Sequence, residues 1–532
     1  MAVNANSLFN ISSAVLYLAV LMALVPVASQ GINLPQQPNI IVVMVDDLDV
    51  GLTNRLLDLG AIPNIKTNLV DRGYVFNNAF VTNSFCCPSR ATFLTGQYSH
   101  NHGVLKNYPP KGGAPALNDS STIATWLNAG GYYTGHIGKY LNGYGALDLT
   151  GDGEYTIEDQ TYIPPGWDEW QGLVDPSTYV VYDYSVNNNG VIETYGSSEA
   201  DYQTDVLSSY VQDFLLKTEQ SDETPFFLVV TPLAPHLEVP EGHDTKDYHD
   251  LWKWDIRPAP RHEGSLPIWV PQPPSFNESN VSDKPLWLQE HEPLNFLDML
   301  YLTRHYRHRA ESMRAVDDLL GSLFDTLAAN GELDHTVVIF TSDNGFLHGE
   351  HRLSEKGFAY EESIRVPLYI WLPGEVGGVS IDQDVLNNDL APTIAELAGV
   401  PVGHAVDGRS IIGLFDLVPV NWRNQFLIEH WGGKSSPLNI PTYQAIRLHP
   451  YGQVAEPVIF VNYVNPSQTS ELYDLGVDPY QRFSLHNASE LQNQIGVFKQ
   501  FIDVFKVCKG MECMALEDIE ISGSVISESV KE

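Results

Sequence analysis

Ile40-Ile41-Val42-Val43-Met44-Val45, running straight into Asp46-Asp47, is the stretch that decides the fold. A continuous β-branched run has no polar face, so it predicts a central strand covered on both sides. Two further runs read the same way. Pro225-Phe226-Phe227-Leu228-Val229-Val230 heads toward His236, and Val337-Val338-Ile339-Phe340-Thr341 ends at Asp343-Asn344-Gly345. Helical patterns lie between them. Ser121 to Ala129 carries Ile, Trp and Leu on one face, and Ala310 to Ala329 places Val316, Leu319, Leu320, Leu323 and Leu327 at helical spacing. Alternation of this kind predicts an α/β fold with a large central mixed sheet flanked by helices. In such sheets the polar residues at the carboxyl ends of strands gather along one edge, where ligands bind.

Two chemical signals fall on that edge. Asp46 and Asp47 are adjacent at a strand end, and two like charges so close are costly unless a cation neutralises them. Asp343 and Asn344 supply oxygen ligands at another strand end. The four make a hard, all-oxygen donor set suited to Ca2+ or Mg2+ rather than zinc. The second signal is Cys86-Cys87-Pro88-Ser89-Arg90, followed by Leu94-Thr95-Gly96. Proline can open a helix, so the cysteine lies at a helix N-terminus, where backbone N–H groups and the dipole favour negative charge. Arg90, one turn in, adds a fixed cation shaped to hold an oxyanion. Chemistry alone does not choose between the two adjacent thiols.

Composition narrows the function classes. The chain has 532 residues, 43% of them hydrophobic and 11% aromatic, which reads as globular with room for more than one domain-sized unit. A formal charge of -37 argues against nonspecific nucleic-acid binding, which needs a basic face. An apolar run from Ile11 to Ala28, then Ser29-Gln30-Gly31, predicts a secretory signal peptide over residues 1–30, although its start lacks Lys and Arg. No later segment is long and apolar enough to span a bilayer. Secretion agrees with sequons at Asn118, Asn277, Asn280 and Asn487. Among 4 Cys, Cys508 and Cys513 are close enough to form a small-loop disulfide or to remain two free thiols.

The remaining organisation follows from pattern changes. Residues 31–416 are expected to form the catalytic unit, with a Pro- and Trp-rich excursion from Asp244 to Glu292 over the ligand edge. Residues 417–513 read as a smaller α+β subdomain, with strands at Tyr443 to Leu448, Val458 to Val464 and Glu471 to Leu475 and a helix from Ser489 to about Lys506. Residues 514–532, acidic and Ser-rich, are expected to lack fixed structure.

With these motifs in order, the chain resembles type I sulfatases of the alkaline phosphatase superfamily, closest to arylsulfatase and N-acetylglucosamine-6-sulfatase-like members. Cys86 to Gly96 matches the family's C-x-P-S-R-x-x-x-L-T-G pattern, Gly138-Lys139-Tyr140 its G-K-[WY] signature, and Ala234-Pro235-His236 its active-site histidine segment. Lys356, before Gly357 and the run Glu361-Glu362-Ser363-Ile364-Arg365-Val366-Pro367, matches the second lysine. Asp407-Gly408-Arg409-Ser410 and Glu471-Leu472-Tyr473-Asp474-Leu475 resemble later structural signatures.

The resemblance implies that Cys86, not Cys87, is oxidised to formylglycine by a formylglycine-generating enzyme. It implies one divalent cation, Ca2+ favoured over Mg2+, on Asp46, Asp47, Cys86, Asp343 and Asn344. Lys139, Lys356 and Arg90 would spread charge on the transferring sulfate, and His236 would protonate the leaving oxygen. The implied substrate is an aryl or carbohydrate sulfate ester, and the implied location is outside the cell or in a lysosome-, vacuole- or periplasm-like compartment. Alternatives are a phosphonate or phosphate ester hydrolase of the same superfamily, and a noncatalytic sulfated-glycan binder.

One departure from the family stands out. Many sulfatases carry a histidine two residues after the first lysine; here that position is Leu141, followed by Asn142. His100, His102 and His348 are the candidates left for the base that frees sulfate. Separately, Asp148 to Asp159 has partial EF-hand spacing, read as a solvated acidic turn in preference to a second calcium site.

Overall fold

The run that opens the sequence argument is strand β1 (Asn39–Val45), buried along its whole length. The computed structural model describes residues 35–219, 224–239, 255–374, 377–416, 421–432, 439–449, 457–465 and 467–521. The leader expected over 1–30, residues 244–254 of the Pro/Trp-rich excursion and residues 522–532 of the tail lie outside the described residues.

β1 sits inside a 10-stranded sheet. Its other strands, in chain order, are β2 (Tyr74–Phe76), β3 (Tyr133–Gly138), β4 (Glu169–Leu173), β5 (Ser185–Asn188), β6 (Val191–Thr194), β7 (Phe226–Thr231), β8 (Thr336–Ser342), β9 (Leu368–Trp371) and β10 (Val379–Ile381). The spatial order is β10-β2-β9-β8-β1-β7-β3-β4-β5-β6. The centre, β8-β1-β7-β3-β4, is parallel, and antiparallel pairs flank it at β9–β8 and β4–β5. The expected mixed α/β sheet is therefore present.

Alternation along β1 divides the core in two. Ile41, Val43 and Val45 pack with Leu52 and Leu56 of helix α1 (Val50–Asp58), Val211 and Phe214 of α2 (Gln203–Glu219), and Leu320 and Leu323 of α3 (Phe296–Asn330). Ile40, Val42 and Met44 face the other way, onto Ala91, Trp126 and Ile394. Covering both faces is what a parallel centre demands.

α3 starts well before the expected Ala310. Phe296, Leu297 and Leu300 are exposed, so the first turns carry no buried stripe, and the start is set instead by a capping box between Asn295 and Asp298.

A second, antiparallel sheet follows: β11 (Gln425–His430), β12 (Tyr443–Leu448), β13 (Val458–Tyr463) and β14 (Glu471–Asp474), in that order. One face packs on α4 (Gln492–Phe505) through Ile446, Phe460, Ile495, Phe498 and Ile502. The other meets Leu347, Phe358 and Tyr360 beside the ligand edge.

The expectation of no fixed structure from residue 514 does not hold for its first part. Met511–Asp518 is helix α5. Its Glu517 is buried, accepting from Tyr98 Oη at 2.8 Å, Arg409 at 3.0 Å and Arg423 Nε at 3.0 Å. Arg423 grips Asp389 with two nitrogens at 2.6 and 2.7 Å. An acidic segment stays ordered when distant cations pair its one buried carboxylate. Just before it, Cys508 and Cys513 are disulfide-bonded.

Candidate active site

Sheet register brings the motifs together. Val45 pairs with Ser342, and Gly138 with Thr231, so Asp46-Asp47, Asp343-Asn344, Lys139 and the loop to His236 leave the sheet side by side. Backbone bonds lock the exits: Asp343 N donates to Val45 O at 3.1 Å, and Lys139 N to Thr231 O at 2.8 Å. Gly138 has φ +115° and lies so near Thr231 that an added Cβ would fall 2.2 Å from its carbonyl oxygen. No side chain fits there.

Cys86 opens the helix Cys86–Thr95, which ends at Gly96 in the left-handed conformation. Its Sγ lies 3.7 Å from Asp46 Oδ1 and accepts from Lys356 Nζ at 2.9 Å. Lys356 also contacts the Asp47 carboxylate, and Lys139 the Asp46 carboxylate. Arg90 Nε donates to Asp343 Oδ2 at 2.8 Å and its NH1 to Lys139 O at 2.8 Å; NH2 is 3.7 Å from Asp46. His236 donates Nδ1–H to Leu237 O at 2.6 Å, which turns Nε2 toward Asp47, 3.6 Å away. Every residue singled out as catalytic or metal-binding thus converges, and all are buried.

Charge balance explains how so many ionised groups share a dry site. Burial alone would raise Asp46, but Lys139, then His236, Arg90 and Lys356, outweigh it and hold the carboxyl well below its usual range. Asp47 is lowered in the same way, chiefly by Lys356. Asp343 is pushed up to about 6 by burial and by its neighbour Asp46. Burial pushes the Cys86 thiol up to about 12 in spite of Lys139 and Lys356. An unmodified Cys86 is therefore a protonated thiol at neutral pH, not the thiolate that reacts. Cys87 is raised likewise and lies in the apolar core.

The residues fit a hard cation. Asp47 Oδ2 and Asn344 Oδ1 are buried with no hydrogen-bond donor among the described residues, so two oxygens await a positive partner. Ligand atoms of Asp46, Asp47, Cys86 and His236 lie within 4.8 Å of one another. Asp343 stands beside them with one oxygen accepting from Asp47 N at 3.1 Å and the other from Arg90.

The three histidines weighed as bases are all engaged elsewhere. His100 bonds Glu429 and Cys508 O at 2.9 and 3.0 Å. His102 bonds Thr92 and Val104 N, and His348 bonds Asp49 at 3.1 Å. In the Asp148–Asp159 turn, Asp148, Asp152 and Asp159 accept from backbone N–H groups of their own loop. Asp159 accepts from Leu149, Thr150 and Thr156 N, which holds its carboxyl down to about 2 against the effect of burial.

Two contributors escaped the motif reading. Arg309, fully buried on α3, donates to Asp47 O and lies 3.8 Å from Asp49. Its signal was a charged residue on the apolar stripe of Leu302, Tyr306, Met313, Val316 and Leu320. Tyr179 has its ring 4.7 Å from Lys139 Nζ and 5.3 Å from the His236 ring. It comes from a single 3-10 turn, Ser177–Tyr179, too short to show a periodicity.

The chain is similar to known proteins along most of its length. A family model described as Sulfatase matches residues 38–400, and one described as N-sulphoglucosamine sulphohydrolase, C-terminal, matches residues 349–505. Human N-acetylglucosamine-6-sulfatase is 32% identical over 410 residues, covering 75% of this chain and 68% of that protein. The extracellular sulfatase SULF-1 homolog of Drosophila melanogaster is 32% identical over 419 residues; they cover 77% of this chain but only 34% of that protein, so the chain spans about a third of that relative. Among solved structures, BT4656 in complex with its substrate D-glucosamine-2-N,6-O-disulfate superposes with TM-score 0.67 at 22% identity, covering 88% of this chain and 97% of that one. The fold is the alkaline-phosphatase-like fold of these sulfatases.

Proposed function

The chain belongs to the sulfatase family, and on that premise we propose that it hydrolyses a sulfate monoester, of a carbohydrate or of a phenol, at Cys86. The observation that carries this reading is the meeting of Cys86 with two lysines, an arginine and strand-end carboxylates in one buried pocket. In a protein of charge -37, three cations here are matched by three carboxylates, and a bound divalent cation would leave the pocket positive toward an anionic ester.

Residue 86 acts in oxidised form. Its thiol is held protonated, and conversion to formylglycine by a formylglycine-generating enzyme would supply a hydrated aldehyde with a nucleophilic oxygen. Asp46, Asp47 and Asn344, with Asp343 and residue 86, would hold a divalent cation, Ca2+ in preference to Mg2+; when bound it would polarise sulfate oxygens.

The chain's own groups do the rest. Lys139 and Lys356 flank the position of the nucleophile and spread charge on the transferring sulfate, and Arg90 fixes Asp343 and backs Lys139. His236 presents Nε2 on the same side, while its Nδ1–H bond to Leu237 O holds the ring in place. Burial, then Lys356, holds the free ring neutral, down to about 4; the anionic ester arriving beside it would favour the imidazolium, whose Nε2–H then passes to the departing oxygen.

The natural substrate is read as a sulfated sugar, by analogy with the N-acetylglucosamine-6-sulfatase relative and the glucosamine disulfate complex. A secreted or lysosome-like location suits the disulfide and the exposed sequons. The test is a matched pair of aryl esters. Faster hydrolysis of the aryl sulfate than of the aryl phosphate is expected, and much faster phosphate turnover would replace this reading with the phosphate or phosphonate one.

A further inference from the structure

Beyond Lys139 the chain runs Tyr140-Leu141-Asn142-Gly143-Tyr144 along the site edge. Tyr140, Leu141 and Tyr144 enter the apolar core. Leu141 therefore takes the place of the histidine found two residues after the lysine in many sulfatases, and it faces away from the chemistry. Asn142 is the polar member, 3% exposed. Its Nδ2 donates to Tyr179 Oη at 2.6 Å. Its Oδ1 is buried and has no donor among the described residues.

A buried carbonyl oxygen left unpaired loses its bond to water and gains none, so a fold that builds one in rigidly calls for an explanation. Here the turn is held on both sides. Asn142 O accepts from Ala114 N at 2.8 Å, and Gly143 N donates to Asp175 Oδ2 at 2.5 Å. Gly143 has φ +80°, and a Cβ there would meet Leu147 Cδ1 at 2.3 Å, so the turn accepts glycine and little else.

The amide is also close to the reaction. Tyr179, which it holds, has its ring against both Lys139 and His236. His236 marks the side from which the leaving group departs, so Asn142 lies one side chain beyond it. Tyr179 Oη accepts from Asn142, and its own proton has no acceptor among the described residues. An acceptor (Asn142 Oδ1) and a donor (Tyr179 Oη) thus stand together.

We infer that Asn142 Oδ1 and Tyr179 Oη form a subsite for the hydroxyls of a sugar-type leaving group. This inference rests on the sulfate hydrolysis proposed above and names the substrate class of that site. A sugar ring offers hydroxyls that both donate and accept; a phenol ring offers none away from its ester oxygen and leaves the amide unpaired.

The experiment compares kcat/KM for glucosamine 6-sulfate with that for p-nitrophenyl sulfate in the wild type, Asn142→Ala and Asn142→Asp. The ratio of the two constants is independent of the fraction of enzyme folded. The sugar-to-aryl ratio is expected to fall about 10- to 100-fold in Asn142→Ala and by less in Asn142→Asp, which keeps an oxygen acceptor. An unchanged ratio in Asn142→Ala, or equal losses in both variants, overturns the subsite. A wild type that cleaves the aryl sulfate but not the sugar sulfate overturns it too and leaves the hydrolase reading intact. A wild type that cleaves neither sulfate refutes the hydrolase reading itself, and the subsite with it.

Discussion

Replacing Lys139 by methionine separates what the site costs in stability from what it contributes to chemistry. Methionine keeps the length of the aliphatic stem and deletes the charge. The ammonium contacts Asp46, and both groups are almost wholly buried. Burial would lower the Lys139 pKa, but Asp46 beside it raises it above its ordinary value, so the lysine stays charged at any working pH. Removing one partner of a buried pair costs roughly 3–5 kcal/mol, because the other charge is stranded. Arg90 still faces Asp46 at 3.7 Å, which places this variant at the low end, about 3 kcal/mol. With an unfolding entropy of about 2.1 cal/mol/K per residue, a chain of 532 residues converts that loss into a fall in Tm of only about 3 °C. The effect on catalysis should be much larger. A preorganised cation beside developing charge is worth roughly 100- to 1,000-fold in kcat. The assay is steady-state hydrolysis of p-nitrophenyl sulfate with excess Ca2+, alongside thermal unfolding of metal-free samples, in which Asp46 keeps only its protein partners. A kcat within about threefold of wild type, whatever the Tm, would refute the placement of Lys139 on the transferring sulfate.

Other consequences are as direct. His100 has both ring nitrogens against acceptors, Glu429 and Cys508 O, so it bonds fully only as imidazolium, and Glu429 raises its pKa above 6.5 against the effect of burial. A raised folded pKa contributes stability that is complete below the unfolded value and is lost as pH rises through the folded one. Tm should therefore fall above about pH 6.5 more steeply in the wild type than in His100→Gln; parallel profiles would contradict this. A chain ending at Cys513 loses Glu517 and leaves Arg423 and Arg409 without it, so it should be roughly 3 kcal/mol less stable by denaturant unfolding, and an unchanged midpoint would show that α5 is dispensable. Glycan mapping from a glycosylating host should find Asn118, Asn280 and Asn487 modified, since all are exposed. Asn277 should be bare, because its amide is bonded at both ends to the Leu294 backbone, and occupancy there would refute that.

What could be read in advance was whatever a local pattern encodes. β1, β7 and β8 announce themselves as unbroken apolar runs, and their polar ends predict the edge where Asp46, Asp47, Asp343, Asn344 and His236 meet. Lys139 and Lys356 carry no such local mark and were placed through the family resemblance. Hidden features depend on partners far along the chain. The order of α5 rests on Glu517 reaching Arg423, and an acidic segment gives no sign of that. The early start of α3 was visible only as the pair Asn295 and Asp298, because its first turns bury no stripe. Asn142 looked like a mere departure from a motif. Only the packing of Leu141 into the core and the bond to Tyr179 single out Asn142 as the polar side chain on that edge.

The proposed hydrolase works through an oxidised Cys86 rather than through its thiol. Mass analysis of the peptide spanning Cys86 to Arg90, from protein purified from its natural source and active on an aryl sulfate, distinguishes the two. Formylglycine is expected at position 86, with an intact thiol at Cys87. An unmodified Cys86 in active protein would contradict this.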